Sequence, residues 1–269
     1  MSRDGFALLA VLWTLTALTV LAGVSVAVAR TGSETTRNRI LLARAGWARE
    51  ACVEILLARY AQDLSVRALD SADLGRGTWC RASLEDVGAK LNVNVATREA
   101  LRSLLGNVLR DSAAADSLTR AIVERRRAAP LLDVRELGVV PGFDSSLVEQ
   151  LTGLLTMRGR GTVDVNTASP LVVATLPGMT PEAATVIAER RAEGRTVTTP
   201  DELAELVSPS ARSVLYSGYA DFVRAAAFAP SELLGVVEGG TRGSPLTARV
   251  TITLVPTVGR LAVIRRESE

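Results

Sequence analysis

The sequence contains no histidine. Serine–histidine and cysteine–histidine nucleophile pairs are therefore excluded, as are histidine-ligated metals. Cysteine is nearly absent too: Cys52 and Cys80 are the only two, too few and too far apart for a cysteine-rich zinc site. Aromatic residues make up 4% of the chain, so stacking platforms for bases or sugars are scarce. Lysine occurs once, at Lys90, and every other basic residue is arginine. No serine–lysine or paired-carboxylate arrangement stands out, and no active site is expected.

Apolar residues make up 48% of the 269 positions, which argues for folded structure over most of the length. The 31 basic residues nearly balance 29 acidic ones, giving a net charge of +2. Composition alone thus does not announce a nucleic-acid partner.

The longest apolar run is Phe6 to Ala29, 24 uncharged positions. As a helix it covers about 36 Å, enough for a hydrocarbon layer of roughly 30 Å. It is too long for an ordinary secretory signal, although Val26-Ala27-Val28-Ala29 imitates a cleavage site. A short polar leader, Met1-Ser2-Arg3-Asp4-Gly5, abuts Phe6. The Gly5-Phe6 junction resembles the type III signal of type IV pilins and pseudopilins. That resemblance implies cleavage by a prepilin peptidase between Gly5 and Phe6, followed by methylation of Phe6. Most pilins carry glutamate at the fifth mature position, which here is Ala10. A charge at that depth costs about 2.5–3.5 kcal/mol on insertion scales unless it is paired. The K component of type II secretion systems, a minor pseudopilin, is similar in lacking it.

Helical spacing of Leu41, Ala45, Ala48, Cys52, Ile55 and Leu56 within Arg39–Leu69 extends the helix beyond the span.

The middle of the chain repeats itself. Leu91-Asn92-Val93-Asn94 recurs 72 residues later as Val163-Asp164-Val165-Asn166. Ile122-Val123-Glu124-Arg125-Arg126 matches Ile187-Ala188-Glu189-Arg190-Arg191, and the Asp133–Leu137 stretch echoes Thr199–Leu203. In the second copy, Ser169-Pro170 and Thr180-Pro181 read as N-caps with proline at the first helical position. Pro177-Gly178-Met179 reads as the turn between two helices, and Gly194 as a helix end. In the first copy the corresponding turn is expected at Leu105-Gly106-Asn107.

Residues 163–194 resemble the helix-hairpin-helix family, whose hairpins cradle DNA phosphates. Thr180 at the second glycine position and Glu182 in the first helical turn weaken that cradle, as do Asp111 and Asp116 in the other copy. No nucleic-acid partner is expected. The general secretion pathway protein K family of minor pseudopilins offers a better match. Its members carry two such repeats inside a pilin αβ domain, and Trp79–Asn92 looks like their first strand and the acidic turn before the insertion.

Partial alternation predicts strands over Phe222–Phe228, Thr247–Val255 and Arg260–Arg266, with turns at Gly239-Gly240 and Pro256. Cys52 and Cys80 are expected to be buried free thiols, with a disulfide as the alternative. Glu85-Asp86, Asp70 and Asp73 could help hold calcium, but they lack calcium-loop spacing, so no cofactor is expected.

The expected fold class is α+β: a long amino-terminal transmembrane helix, a pseudopilin αβ domain with an antiparallel sheet, and an inserted all-α domain of two helix-hairpin-helix or SAM-like repeats. The expected division is leader 1–5, span 6–29, first αβ part 30–92, helical insertion 93–211 and carboxyl-terminal strands 212–269. The resemblance implies a non-enzymatic subunit at the tip of the pseudopilus that helps initiate its assembly. It also implies a single-pass inner-membrane location, amino terminus cytoplasmic and bulk periplasmic. Expected partners are the other minor pseudopilins, the major pseudopilin, inner-membrane secretion components and the prepilin peptidase. The alternative is a membrane-anchored helix-hairpin-helix DNA-binding protein of a competence system.

Overall fold

The computed structural model describes residues 3–258 and 260–268. One helix, α1 (Arg3–Gln62), opens the chain. Its last third turns Ala45, Ala48, Cys52, Val53, Leu56 and Tyr60 onto a sheet, the i, i+3, i+4 stripe of a half-buried helix. The helical reading to Leu69 overshoots: α1 ends at Gln62, and Leu69 is the buried residue of a strand.

That sheet is antiparallel, with the order β1 (Ala68–Gly75), β2 (Thr78–Asp86), β7 (Leu233–Thr241), β8 (Thr247–Thr257) and β9 (Arg260–Ser268). Strand β2 alternates, turning Cys80, Ala82 and Leu84 to the core and the residues between them outward. Two strands escape the sequence reading. Edge strand β1 buries only Leu69 fully, so it lacks a clean period. Central strand β7 contains Gly239 and Gly240, expected as a turn, and Pro256 likewise lies inside β8. Both glycines are there for close approach. A β-carbon at Gly239 would collide with the Arg49 backbone nitrogen and lie 2.7 Å from the Ala45 carbonyl oxygen. One at Gly240 would lie 2.7 Å from the Trp79 ring on the neighbouring strand.

Cys52 of α1 and Cys80 of β2 form a disulfide, their Cα atoms 5.8 Å apart. This corrects the free-thiol expectation. Helical and strand periodicity each put one cysteine on the shared core face, but only the packing supplies the distance.

Between β2 and β7 the chain leaves the sheet. The first helical copy comprises β3 (Leu91–Asn92), α2 (Arg98–Leu109), α3 (Ser112–Ala128), a 3-10 turn (Val134–Val139), α4 (Ser145–Thr152) and β4 (Leu155–Thr156). The second comprises β5 (Val163–Asp164), α5 (Pro170–Val173), α6 (Pro181–Ala192), α7 (Pro200–Leu206), α8 (Pro209–Ser217), α9 (Tyr219–Ala225) and β6 (Ala226–Ala227). Each copy closes on itself by a two-residue parallel pairing, Leu91 opposite Leu155 and Val163 opposite Ala226. The strand expected over Phe222–Phe228 is therefore mostly helix, with Phe222 fully buried. Its alternation arose from one core-facing aromatic beside small residues. A single apolar core joins the two copies, and a separate one lies between α1 and the sheet.

Candidate assembly surface

From Val11 to Ile40 every residue of α1 is exposed, including Leu12, Trp13, Leu18 and Leu21. The described helix from Val11 is long and apolar enough to cross a membrane. Its hydroxyls suit that setting. Thr14, Thr16, Thr19 and Ser25 donate to carbonyls one turn back, at Val11, Leu12, Leu15 and Leu21, so none asks a neighbour for a partner. Above this stretch Ile40, Leu42 and Trp47 remain exposed, Trp47 at 79%. Sheet residues cover only the opposite face of the helix.

Gly5 and Phe6, the residues of the expected processing site, fall in the first turns of α1, as does Ala10. Met1 and Ser2 of the leader lie outside the described residues.

Of the carboxylates considered for calcium, Glu85, Asp86 and Asp73 have partners within the chain. Glu85 pairs with Lys90 at 2.6 Å, and Asp73 binds Arg242 at 2.8 Å and the Gly75 amide. Asp86 caps the 3-10 turn Val87–Ala89. Among the described residues no group of three or more acidic or cysteine side chains could hold a metal ion.

The hairpins are built for packing. In the second copy Gly178 has φ +71°, and a β-carbon there would lie 3.2 Å from the Val214 carbonyl oxygen of α8. Glu182 accepts the amide and hydroxyl of Ser208 at 2.6 and 2.7 Å, which holds its carboxyl below the usual range and fixes the start of α8. The hairpin backbone at Gly178 thus packs against α8. In the first copy Leu105-Gly106-Asn107 lies inside α2. The turn comes at Arg110, in the left-handed region with φ 56°, and Asp111 caps α3.

Polar brackets that sequence reasoning did not assign hold the copies together. Arg126 donates to the Val93 and Ala96 carbonyls, and its counterpart Arg191 to those of Thr167 and Ala168. Arg125 pairs with Glu136 and Arg190 with Glu202. Asn94 exchanges bonds with the Leu131 backbone, as Asn166 does with Val197. The signal was in the matched Arg-Arg and Asn positions of the repeat.

Orientation follows from β7. Its Gly239 end lies against Ala45 and Arg49, on the side of α1 nearer the apolar run. Residues 87–232 leave and rejoin the sheet at Asp86 and Leu233, the opposite end of that ladder. The helical bulk thus sits at the end of the sheet away from the exposed apolar half of α1.

No protein-family model matches the chain, and no curated protein does. Among solved structures the chain is similar to the crystal structure of the GspK-GspI-GspJ complex from the enterotoxigenic Escherichia coli Type 2 Secretion System. The TM-score is 0.62 at 15% identity, covering 89% of this chain and 99% of that one. The fold is a pseudopilin fold. At this identity the likeness speaks to architecture alone.

Proposed function

We propose that the chain is a minor pseudopilin of the general secretion pathway protein K type, seated at the tip of a type II secretion pseudopilus and helping to initiate its assembly. The observation that carries this reading is the placement of the helical bulk at the end of the sheet remote from the apolar half of α1. A filament packed through such helices has room for that bulk at its end and little within it. Ala10, where most pilins offer a glutamate, fits a subunit with nothing stacked above it.

The exposed face running from Val11 through Trp47 is the assembly surface, used in the membrane and just outside it. Other minor pseudopilins are its partners, a reading supported by the GspK-GspI-GspJ complex. The major pseudopilin and inner-membrane secretion components follow from the same role. The Cys52–Cys80 disulfide suits an oxidising compartment, which favours a periplasmic bulk and a cytoplasmic amino terminus. The subunit works by packing and has no catalytic step. The comparisons lend no support to a competence role.

A prepilin peptidase cuts between Gly5 and Phe6, and Phe6 is then methylated. Mass spectrometry of the mature amino terminus tests this: the expected species begins at methylated Phe6. An intact Met1, or cleavage near Ala29, overturns the processing. Crosslinking through a photoreactive residue at Trp47 tests the role. Crosslinks to the other minor pseudopilins support the tip, whereas crosslinks to major pseudopilin along the whole fibre overturn it.

A further inference from the structure

The second helical copy meets the sheet through two buried carboxyl groups. Asp86, last residue of β2, is 5% exposed, and Asp164 of β5 is 1% exposed. Asp86 Oδ1 accepts the Gly88 amide at 2.9 Å and its Oδ2 the Thr167 hydroxyl at 2.5 Å. Asp164 Oδ1 accepts the Asn166 amide at 2.8 Å. Asp164 Oδ2 is buried and finds no donor. The two carboxyl groups are neighbours across Gly88, where an added β-carbon would lie 3.3 Å both from Asp164 Cβ and from Asp86 Oδ1. It would also lie 3.1 Å from the Asp164 nitrogen, so Gly88 leaves no room.

Two ionised carboxylates so placed repel, and neither has an oxygen to spare for the other unless one carries a hydrogen. The repeat supplies an internal control. The residue matching Asp164 in the first copy is Asn92, whose Nδ2 donates to the Arg158 and Gly159 carbonyls at 2.8 Å each. The first copy thus has a donor at this position by its chemistry, and the second can have one only by protonation.

We propose that one proton shared between Asp164 and Asp86 locks the second helical copy onto the sheet, and that losing it loosens this joint.

The surroundings favour retention of the proton. Burial, then the Asp86 charge, pushes the Asp164 carboxyl up to about 7. The Asn166 amide opposes this, and Arg191 of α6 does so to a smaller degree. Its guanidinium is, however, engaged with the Ala168 and Thr167 carbonyls. Glu85 and Lys90, flanking the 3-10 turn, neutralise each other. Of the other elements packed against β5, α5 and β6 carry no ionisable side chain.

The ordinary aspartate value is 3.8, so the unfolded chain releases this proton near there and the folded chain only near 7. Folding then takes up a proton between those values. Stability declines as pH rises through that interval and is lowest above it.

The test uses the full chain in lipid nanodiscs, comparing wild type with Asp164→Asn. The wild-type minus Asp164→Asn difference spectrum should show a protonated-carboxyl infrared band at pH 5 that is nearly gone at pH 8. Opening of segments 86–90 and 163–168, read by hydrogen exchange corrected for intrinsic rates, should rise about a hundredfold in wild type between those conditions. It should stay flat in Asp164→Asn. Asp86→Asn, which leaves an amide donor facing Asp164, guards against misfolding of the first variant and should move the wild-type transition to lower pH. The proposal is overturned if the band is missing at pH 5, or if wild type and Asp164→Asn respond to pH in parallel.

Discussion

The two helical copies solve most of the same problem with the same side chains and part company at one position. In both, the second arginine of the pair ties down the turn after the opening strand, and the first binds a glutamate. In both, an asparagine bridges from that turn to the segment following the second long helix. These groups face only their own copy, so their surroundings repeat as the sequence does. Asn92 and Asp164 face outward from their copies. Asn92 meets the segment that leads to the second copy, and Asp164 meets the end of β2. The residue type follows what lies outside the repeat. Internal brackets define the unit, and the seam residue records where that unit is docked.

The sharpest way to break this comparison is to give the first copy the second copy's seam residue. Asn92→Asp would point a carboxylate, at a site 3% exposed, toward the Arg158 and Gly159 carbonyls that now receive two hydrogen bonds. Both carbonyls lose their donor and a charge is buried among acceptors, so a loss of about 3 kcal/mol or more is expected. Denaturant unfolding followed by circular dichroism measures it. A loss below about 1 kcal/mol would mean that the outward position carries little specificity.

The brackets themselves come next. Arg126→Met and Arg191→Met each withdraw charged donors from two carbonyls, an expected cost of about 2–3 kcal/mol in either copy. The same unfolding assay should return values within about 1 kcal/mol of each other. A wider gap would show that the copies are alike in sequence and unlike in energetics. Arg191 also sits in the field of Asp164 and favours its ionised form. Arg191→Met should therefore shift the pH response of the seam upward, and Arg126→Met should not.

Much of this arrangement could be read before any coordinates. The repeat, the caps at Ser169-Pro170 and Thr180-Pro181, and the strands over 247–255 and 260–266 are local patterns, and local geometry enforces them. What escaped depends on distant neighbours. Gly239 looks like a turn residue until Ala45 and Arg49 are seen against it, and Gly240 until Trp79 covers it. Cys52 and Cys80 look like two core residues until helix and strand meet. Asp164 gave a usable signal, a carboxylate where the matched position holds an amide, but its partner Asp86 lies outside the repeat. Of the assembly surface, the apolar run was plain from sequence. The end of the sheet that bears the helical bulk was not, because it follows from the register of β7 against β2.

The smallest effect lies in the glutamate that each bracket binds. Glu202 accepts the Thr198 amide and hydroxyl at 2.7 and 2.8 Å and the Arg190 guanidinium at 2.6 Å. The Thr198 backbone donor, then its hydroxyl and Arg190, hold the Glu202 carboxyl below its ordinary value of 4.5. A depressed carboxyl contributes stability that is present above the ordinary value and is lost as pH falls through the folded one. Glu202→Gln removes the titration while keeping an acceptor oxygen, so the variant should lose less stability than wild type on acidification below about pH 4.5. Because the group is partly open to solvent, added salt should shrink the difference further. Thermal midpoints of wild type and variant across pH 3 to 6, at low and high salt, measure it. Parallel curves would mean that Glu202 serves the second copy as a hydrogen-bond acceptor alone, with its charge irrelevant to the bracket.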